Sequence, residues 1–285
     1  MTPNSNHPKS RIATLENGLR IVLEHSDSQV VYCGYVVCAG TRHEAEADFG
    51  MAHFIEHLTF KGTSRRRSAQ IGSFLESVGG DLNAFTNKQE TVYTATVLKK
   101  DTPRAIDLLS DIVFHSTFPQ TEITKEVEVI VDEIDSYRDT PSELIFDEFE
   151  QMLFDGTPLG RDILGTPERL REYTTADARR FADAYYRPEN CVFYLYGDVD
   201  FERAVRALEK AHQSSRTEIA DDSTLQRPSE STNLRLNESP TQRISASTTK
   251  VLTKPTSCSA LAPSAATTHA VSPSFCSTTS SADRA

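Results

Sequence analysis

His53, Phe54, Ile55, Glu56 and His57 put two imidazoles and a carboxylate inside one short apolar run. On a helix, positions i and i+4 share a face one turn apart, so both imidazoles can reach a single metal ion. Glu56, one position before the second histidine, lies on the same face and can reach a water at that ion. Two neutral imidazoles with a carboxylate base suit a catalytic zinc, which takes three protein ligands and keeps one position open. The order H-x-x-E-H reverses the commoner H-E-x-x-H. Histidine is scarce, eight in 285 residues, which makes chance clustering uncommon. The plain alternative is a polar helix face carrying two solvated histidines, and a third ligand separates the two readings.

The surrounding composition narrows the chemistry. Residues 1–212 carry 23 Lys and Arg against 35 Asp and Glu, whereas residues 213–285 carry 7 against 6. An acidic body argues against a nucleic-acid partner held through its phosphates. It permits basic peptides steered by charge, although solubility explains the same balance. The five cysteines (Cys33, Cys38, Cys191, Cys258 and Cys276) are odd in number and include no C-x-x-C pair. That disfavours a disulfide framework or a cysteine-bound zinc and predicts buried thiols in a reducing compartment. Residues 1–10 are polar and read as disordered, with no signal-peptide core, and no stretch reaches the length of a membrane span. With Met1 as the start, the expectation is a cytoplasmic protein without a membrane segment.

The elements that must carry the motif alternate along the chain. Asn17-Gly18 between two apolar runs, 12–15 and 19–24, predicts a hairpin. Residues 30–38 read as a buried strand, 51–59 as the motif helix and 68–78 as a second helix closed by Gly79-Gly80. Strands are expected over 81–85 and 90–98, and helices over 103–114, 122–137, 142–154 and 175–185. A strand over 191–196 and a last helix over 201–211 complete the pattern. Hairpins mixed with clustered helices imply an α+β fold, a mainly antiparallel sheet packed against helices.

The helix over 122–137 offers the third ligand. Ile123, Val127, Val131 and Ile134 form an apolar stripe, and Glu126 and Glu133, seven apart, share a different face with Val129 and Ile130. Spacing alone leaves Glu126, Glu128, Asp132, Glu133 and Asp135 all open.

Several motifs, in order, resemble the N-terminal half of the insulinase/pitrilysin zinc peptidases, whose H-x-x-E-H makes them inverzincins. Besides the pentapeptide, they are Gly80-Asp81-Leu82-Asn83-Ala84-Phe85-Thr86 followed by Glu90-Thr91-Val92-Tyr93, then Leu159-Gly160, Ile163-Leu164-Gly165-Thr166, Tyr186-Arg187-Pro188-Glu189-Asn190 and Gly197-Asp198-Val199. The resemblance covers residues 11–212 and selects Glu133, 76 residues beyond His57, as the third ligand. It implies one Zn2+ held by His53, His57 and Glu133, with Glu56 as the base that takes a proton from the attacking water and returns it to the leaving amine. It places Glu126 behind a ligand, orienting it or tuning the water. It also makes Asn83 and Ala84 part of an edge strand on which an extended peptide pairs by β-augmentation. The implied substrate is a peptide or unfolded protein, and the implied activity is that of a metalloendopeptidase.

The same resemblance implies a second insulinase-type domain, in the same chain or in a homologous partner chain, to close around the peptide. Residues 213–285 contain 28 Ser or Thr and no Tyr or Trp, and read as a disordered tail. Shifted by one base, the codons of Ser277–Arg284 permit Leu-Asn-Asn-Ile-Leu-Gly-Gly-Pro, and those of Thr253–Ala262 permit a His-Gln-Ala-His-Val-Met-Leu-Gly-Thr-Arg type stretch. Both resemble second-domain sequences, so the tail is expected to be the frameshifted start of a lost second domain. The rival to a working peptidase is a non-catalytic or structural partner subunit of the same fold, or an inert truncated product.

Overall fold

The computed structural model describes residues 10–219; the expectations for the N-terminus before Ser10 and for the chain beyond Ile219 lie outside the described residues. Six strands form one sheet: β1 (Ser10–Thr14), β2 (Arg20–His25), β3 (Val30–Val37), β4 (Asp81–Thr86), β5 (Thr91–Leu98) and β6 (Cys191–Gly197). Their order across the sheet is β1-β2-β6-β3-β5-β4. Every neighbouring pair is antiparallel except β2 with β6, which run parallel. The fold is therefore α+β with a mixed, mainly antiparallel sheet. β4 sits at an edge, paired only to β5, and leaves one row of backbone donors and acceptors open.

The helices are α1 (Met51–Thr59), α2 (Ser68–Glu76), α3 (Thr102–Phe114), α4 (Gln120–Arg138), α5 (Pro141–Leu153), α6 (Pro167–Leu170), α7 (Thr175–Tyr185) and α8 (Phe201–Ile219). Strand alternation sends Val31, Cys33, Tyr35 and Val37 of β3, with Tyr93, Ala95 and Val97 of β5, into one core. There they meet Phe54, Ile55 and Leu58 of α1 and Leu108, Leu109 and Ile112 of α3. Burying such side chains at about 1.5–3 kcal/mol each is the main force that seats α1 against the sheet.

Three expectations need correction. α8 does not end near residue 211 but continues to Ile219. Cys38 is exposed, whereas Cys33 and Cys191 are buried. On α4 the buried row is Ile123, Glu126, Val127, Ile130 and Ile134, while Val129 is about half exposed. Ile130 therefore belongs to the packed stripe, and Glu126 is buried beside it. The reason is contact on two sides, with α1 and α5 both packed against α4, which widens its inward face beyond a single stripe.

Candidate metal centre

α1 is buried almost all round; only His57 among its first eight residues is partly open. Its start is built by backbone close approach. Gly50 (φ +86°) lies against Gly165 (φ +76°), and a Cβ on Gly50 would stand 2.7 Å from Gly165 Cα. Both the left-handed conformation and the contact require glycine there. The buried Glu44 accepts hydrogen bonds from Gly50 N at 3.0 Å and Ala52 N at 2.8 Å, satisfying two donors at the helix start. Burial pushes the Glu44 carboxyl up to about 7 despite those donors.

On the face turned to α4, the His53 and His57 rings lie 4.6 Å apart between centroids. Glu133 Oε2 approaches them from α4, at 3.5 Å from His57 Nε2 and 3.8 Å from His53 Nε2. One donor atom from each of the three residues lies within 4.8 Å of the other two. Tetrahedral zinc with ordinary bond lengths needs donors about 3.3–3.6 Å apart, so modest inward movement suffices.

The electrostatics fit a cation at this point. His53 Nε2 is the nitrogen turned to Glu133, while its Nδ1 is buried without a hydrogen-bond partner among the described residues. Burial, with the neighbouring His57, pulls the His53 ring down to about 3, leaving it neutral with a lone pair to offer. Burial also pulls His57 down, but hydrogen bonds to Glu126 and Glu133 outweigh it and hold His57 at about 9. Burial would raise Glu126 and Glu133; their histidine contacts, and Lys61 at Glu126, hold both below the usual carboxylate range. Two ionised carboxylates, Glu126 and Glu133, thus stand against the histidine pair and favour positive charge there. The donor set of two imidazole nitrogens and one carboxylate oxygen could hold zinc.

The remaining motif residue, Glu56, is buried, and burial raises its carboxyl; a hydrogen bond from Thr86 partly offsets this. Thr86 Oγ1 donates to Glu56 Oε2 at 2.6 Å. Glu126 Oε1 accepts from His57 Nδ1 at 3.0 Å, and Lys61 Nζ stands 2.7 Å from Glu126 Oε2. Asn83 is exposed and Ala84 half-buried on β4, and neither belongs to the group of His53, His57 and Glu133. Thr91 and Tyr93 are fully buried, the tyrosine hydroxyl meeting Tyr186 Oη at 2.9 Å.

Thr86 and Lys61 were not singled out by sequence reasoning. Lys61 lies just past the end of α1, and no local spacing linked it to Glu126 on another helix. Thr86 closes the Gly80–Thr86 motif, but nothing in that motif linked it to Glu56, thirty residues away on α1.

The family model described as Insulinase (Peptidase family M16) matches residues 20–167, and one described as Peptidase M16 inactive domain matches 172–247. The second match runs past the domain boundary expected at 212. The chain is 36% identical over 198 residues to the uncharacterized zinc protease YmxG of Bacillus subtilis, covering 69% of this chain and 48% of that protein. It is 35% identical over 217 residues to the mitochondrial-processing peptidase subunit beta of Dictyostelium discoideum, covering 75% and 46%. Among solved structures, the periplasmic protease PqqL from Escherichia coli matches with a TM-score of 0.66 at 26% identity, over 72% of this chain and 24% of that one. A protease from Helicobacter pylori shares the fold, with a TM-score of 0.69 at 23% identity over 73% of this chain and 50% of that one. The chain spans about half the length of the curated relatives it matches.

Proposed function

Because the chain belongs to the insulinase family, peptidase family M16, we propose that residues 11–212 are the metal-binding, catalytic half of a zinc endopeptidase. The observation that carries the reading is the convergence of His53, His57 and Glu133 with Glu56 on the same helix. Kinship to a zinc protease and to a processing-peptidase subunit supports it. Zinc, when held by those three residues, supplies Lewis acidity toward the scissile carbonyl and the attacking water.

The chain's own residues do the rest. Thr86 occupies Glu56 Oε2, which leaves Oε1 to take the proton of the attacking water. A buried carboxyl with a raised affinity for protons is suited to hold that proton and pass it to the leaving amine. Glu126 fixes the His57 ring through Nδ1, so that Nε2 faces the other ligands. The open edge of β4, with Asn83 and Ala84, receives an extended peptide as an added strand. A second insulinase-type domain or a homologous partner chain closes over that peptide; the half-length match supports this pairing. The substrate is then a peptide or unfolded protein. A cytoplasmic location is part of the same proposal; among the described residues no helix is long and apolar enough to cross a membrane.

The test is metal content together with hydrolysis of a quenched peptide, with and without a second-domain partner. One zinc per chain and cleavage that Glu56→Gln abolishes while sparing the metal is the expected result. Absence of zinc overturns the metal centre. Zinc with no cleavage in any pairing overturns the catalytic role and leaves the structural-subunit reading.

A further inference from the structure

We propose that Lys61 is a positioning residue of the metal centre, acting on His57 through Glu126; the inference rests on His53, His57 and Glu133 being the metal ligands. The Glu126 carboxylate has two oxygens and each has one partner. Oε1 faces His57 Nδ1 at 3.0 Å and Oε2 faces Lys61 Nζ at 2.7 Å. Glu126 is 4% exposed, so bulk water does not supply a substitute for either. A carboxylate gripped at both oxygens cannot rotate, and it holds the proton on Nδ1 of His57. That leaves Nε2 as the lone-pair atom turned toward Glu133 and His53. Lys61 also balances the charge that the buried acid brings to the site.

The lysine is itself held in place. It stands two residues beyond the end of α1, where its N–H donates to Leu58 O at 3.0 Å. The loop beyond it is pinned to α3: Thr63 Oγ1 donates to Asp111 Oδ2 at 2.9 Å, and Arg66 pairs with both Asp107 and Asp111. Its ammonium therefore approaches Glu126 from a rigid base. A lysine at a helix C-terminus can also serve only the helix dipole. That role would place its charge toward the last carbonyls of α1, whereas this ammonium is in contact with a buried acid on another helix.

A double-mutant cycle on the full chain separates these roles. Zinc affinity is read by chelator competition for the wild type, Lys61→Met, Glu126→Gln and the double variant, with melting of the chelated proteins recorded beside it. Outer partners of metal ligands are worth about 10–100-fold in affinity. The expectation is a loss of about tenfold or more for each single variant, and no further loss in the double variant relative to Glu126→Gln. Lys61→Gln, which keeps a donor but removes the charge, takes the place of the methionine variant should that one not fold, with a smaller loss in the same direction. Unchanged zinc affinity in the lysine variant overturns the proposal, as do losses that multiply in the double variant. A wild type that binds no zinc overturns instead the reading of the site on which the proposal rests.

Discussion

Thr86 Oγ1 and Glu56 Oε2 stand 2.6 Å apart, so the last residue of the edge strand is hydrogen-bonded to the acid of the motif helix. Thr91 Oγ1, itself donating to Ala39 O at 2.7 Å, lies 3.2 Å from the same Thr86 hydroxyl. Thr86→Val removes the one hydrogen bond that this carboxylate makes among the described residues, at a buried acid. The expected cost is about 1–3 kcal/mol in urea unfolding, with Thr86→Ser keeping most of the stability. Equal stability of the valine and wild-type proteins would contradict the coupling.

Metal removal has a stability signature that needs no assay of cleavage. A ligand that binds only the folded state adds about 2.7 kcal/mol at a hundredfold excess over its dissociation constant. Zinc is expected to raise the melting temperature of the wild-type chain, and a chelator to lower it again. In His53→Ala and Glu133→Gln that metal-dependent shift should vanish while the apo melting temperature stays close to that of the apo wild type. A full shift in either variant removes that residue from the ligand set.

Glu44 should impose a pH dependence on folding. Its folded carboxyl is pushed up to about 7 from 4.5 by burial. The folded state thus holds the proton more tightly than the unfolded chain, so this stability is full below about 4.5 and is lost as pH rises to about 7. Glu44→Gln removes the titration. Between pH 5 and 7.5, in chelator to keep metal binding out of the comparison, the wild type is expected to lose on the order of 1–3 kcal/mol more than the variant. Parallel urea curves for the two proteins across that range would refute it.

The frameshift proposed for the tail is settled by resequencing the gene from codon 200 past the stop. A single inserted or deleted base that restores a second-domain reading frame is the expected finding. An intact frame instead directs the search to a separately encoded partner. The family match reaching residue 247 moves the place to look to the codons just before Thr253, where the shifted stretch begins.

The motif helix and the candidate metal donors show how far a linear reading extends. A one-turn spacing is a local property, so His53, Glu56 and His57 on one face of α1 followed from the order of residues alone. The hairpin at Asn17-Gly18 and the strands expected over 81–85 and 90–98 were equally legible, because turn chemistry and β-branched runs act over a few positions. The third donor was not. Five acids on α4 were equivalent by spacing, and family resemblance, not periodicity, picked Glu133 from among them. What sets Glu133 apart physically is the crossing of α4 over α1, which brings its carboxylate to 3.5 Å from His57 and buries Glu126 one turn pair earlier. The same packing decided that Ile130 joins the core, that Lys61 meets Glu126 and that Thr86 meets Glu56. Residue order determined which chemical groups this protein can offer and on which helix face or strand. Only the tertiary structure decided which groups meet, because contacts between distant segments are chosen by the burial of apolar surface over the whole domain and not by any local preference.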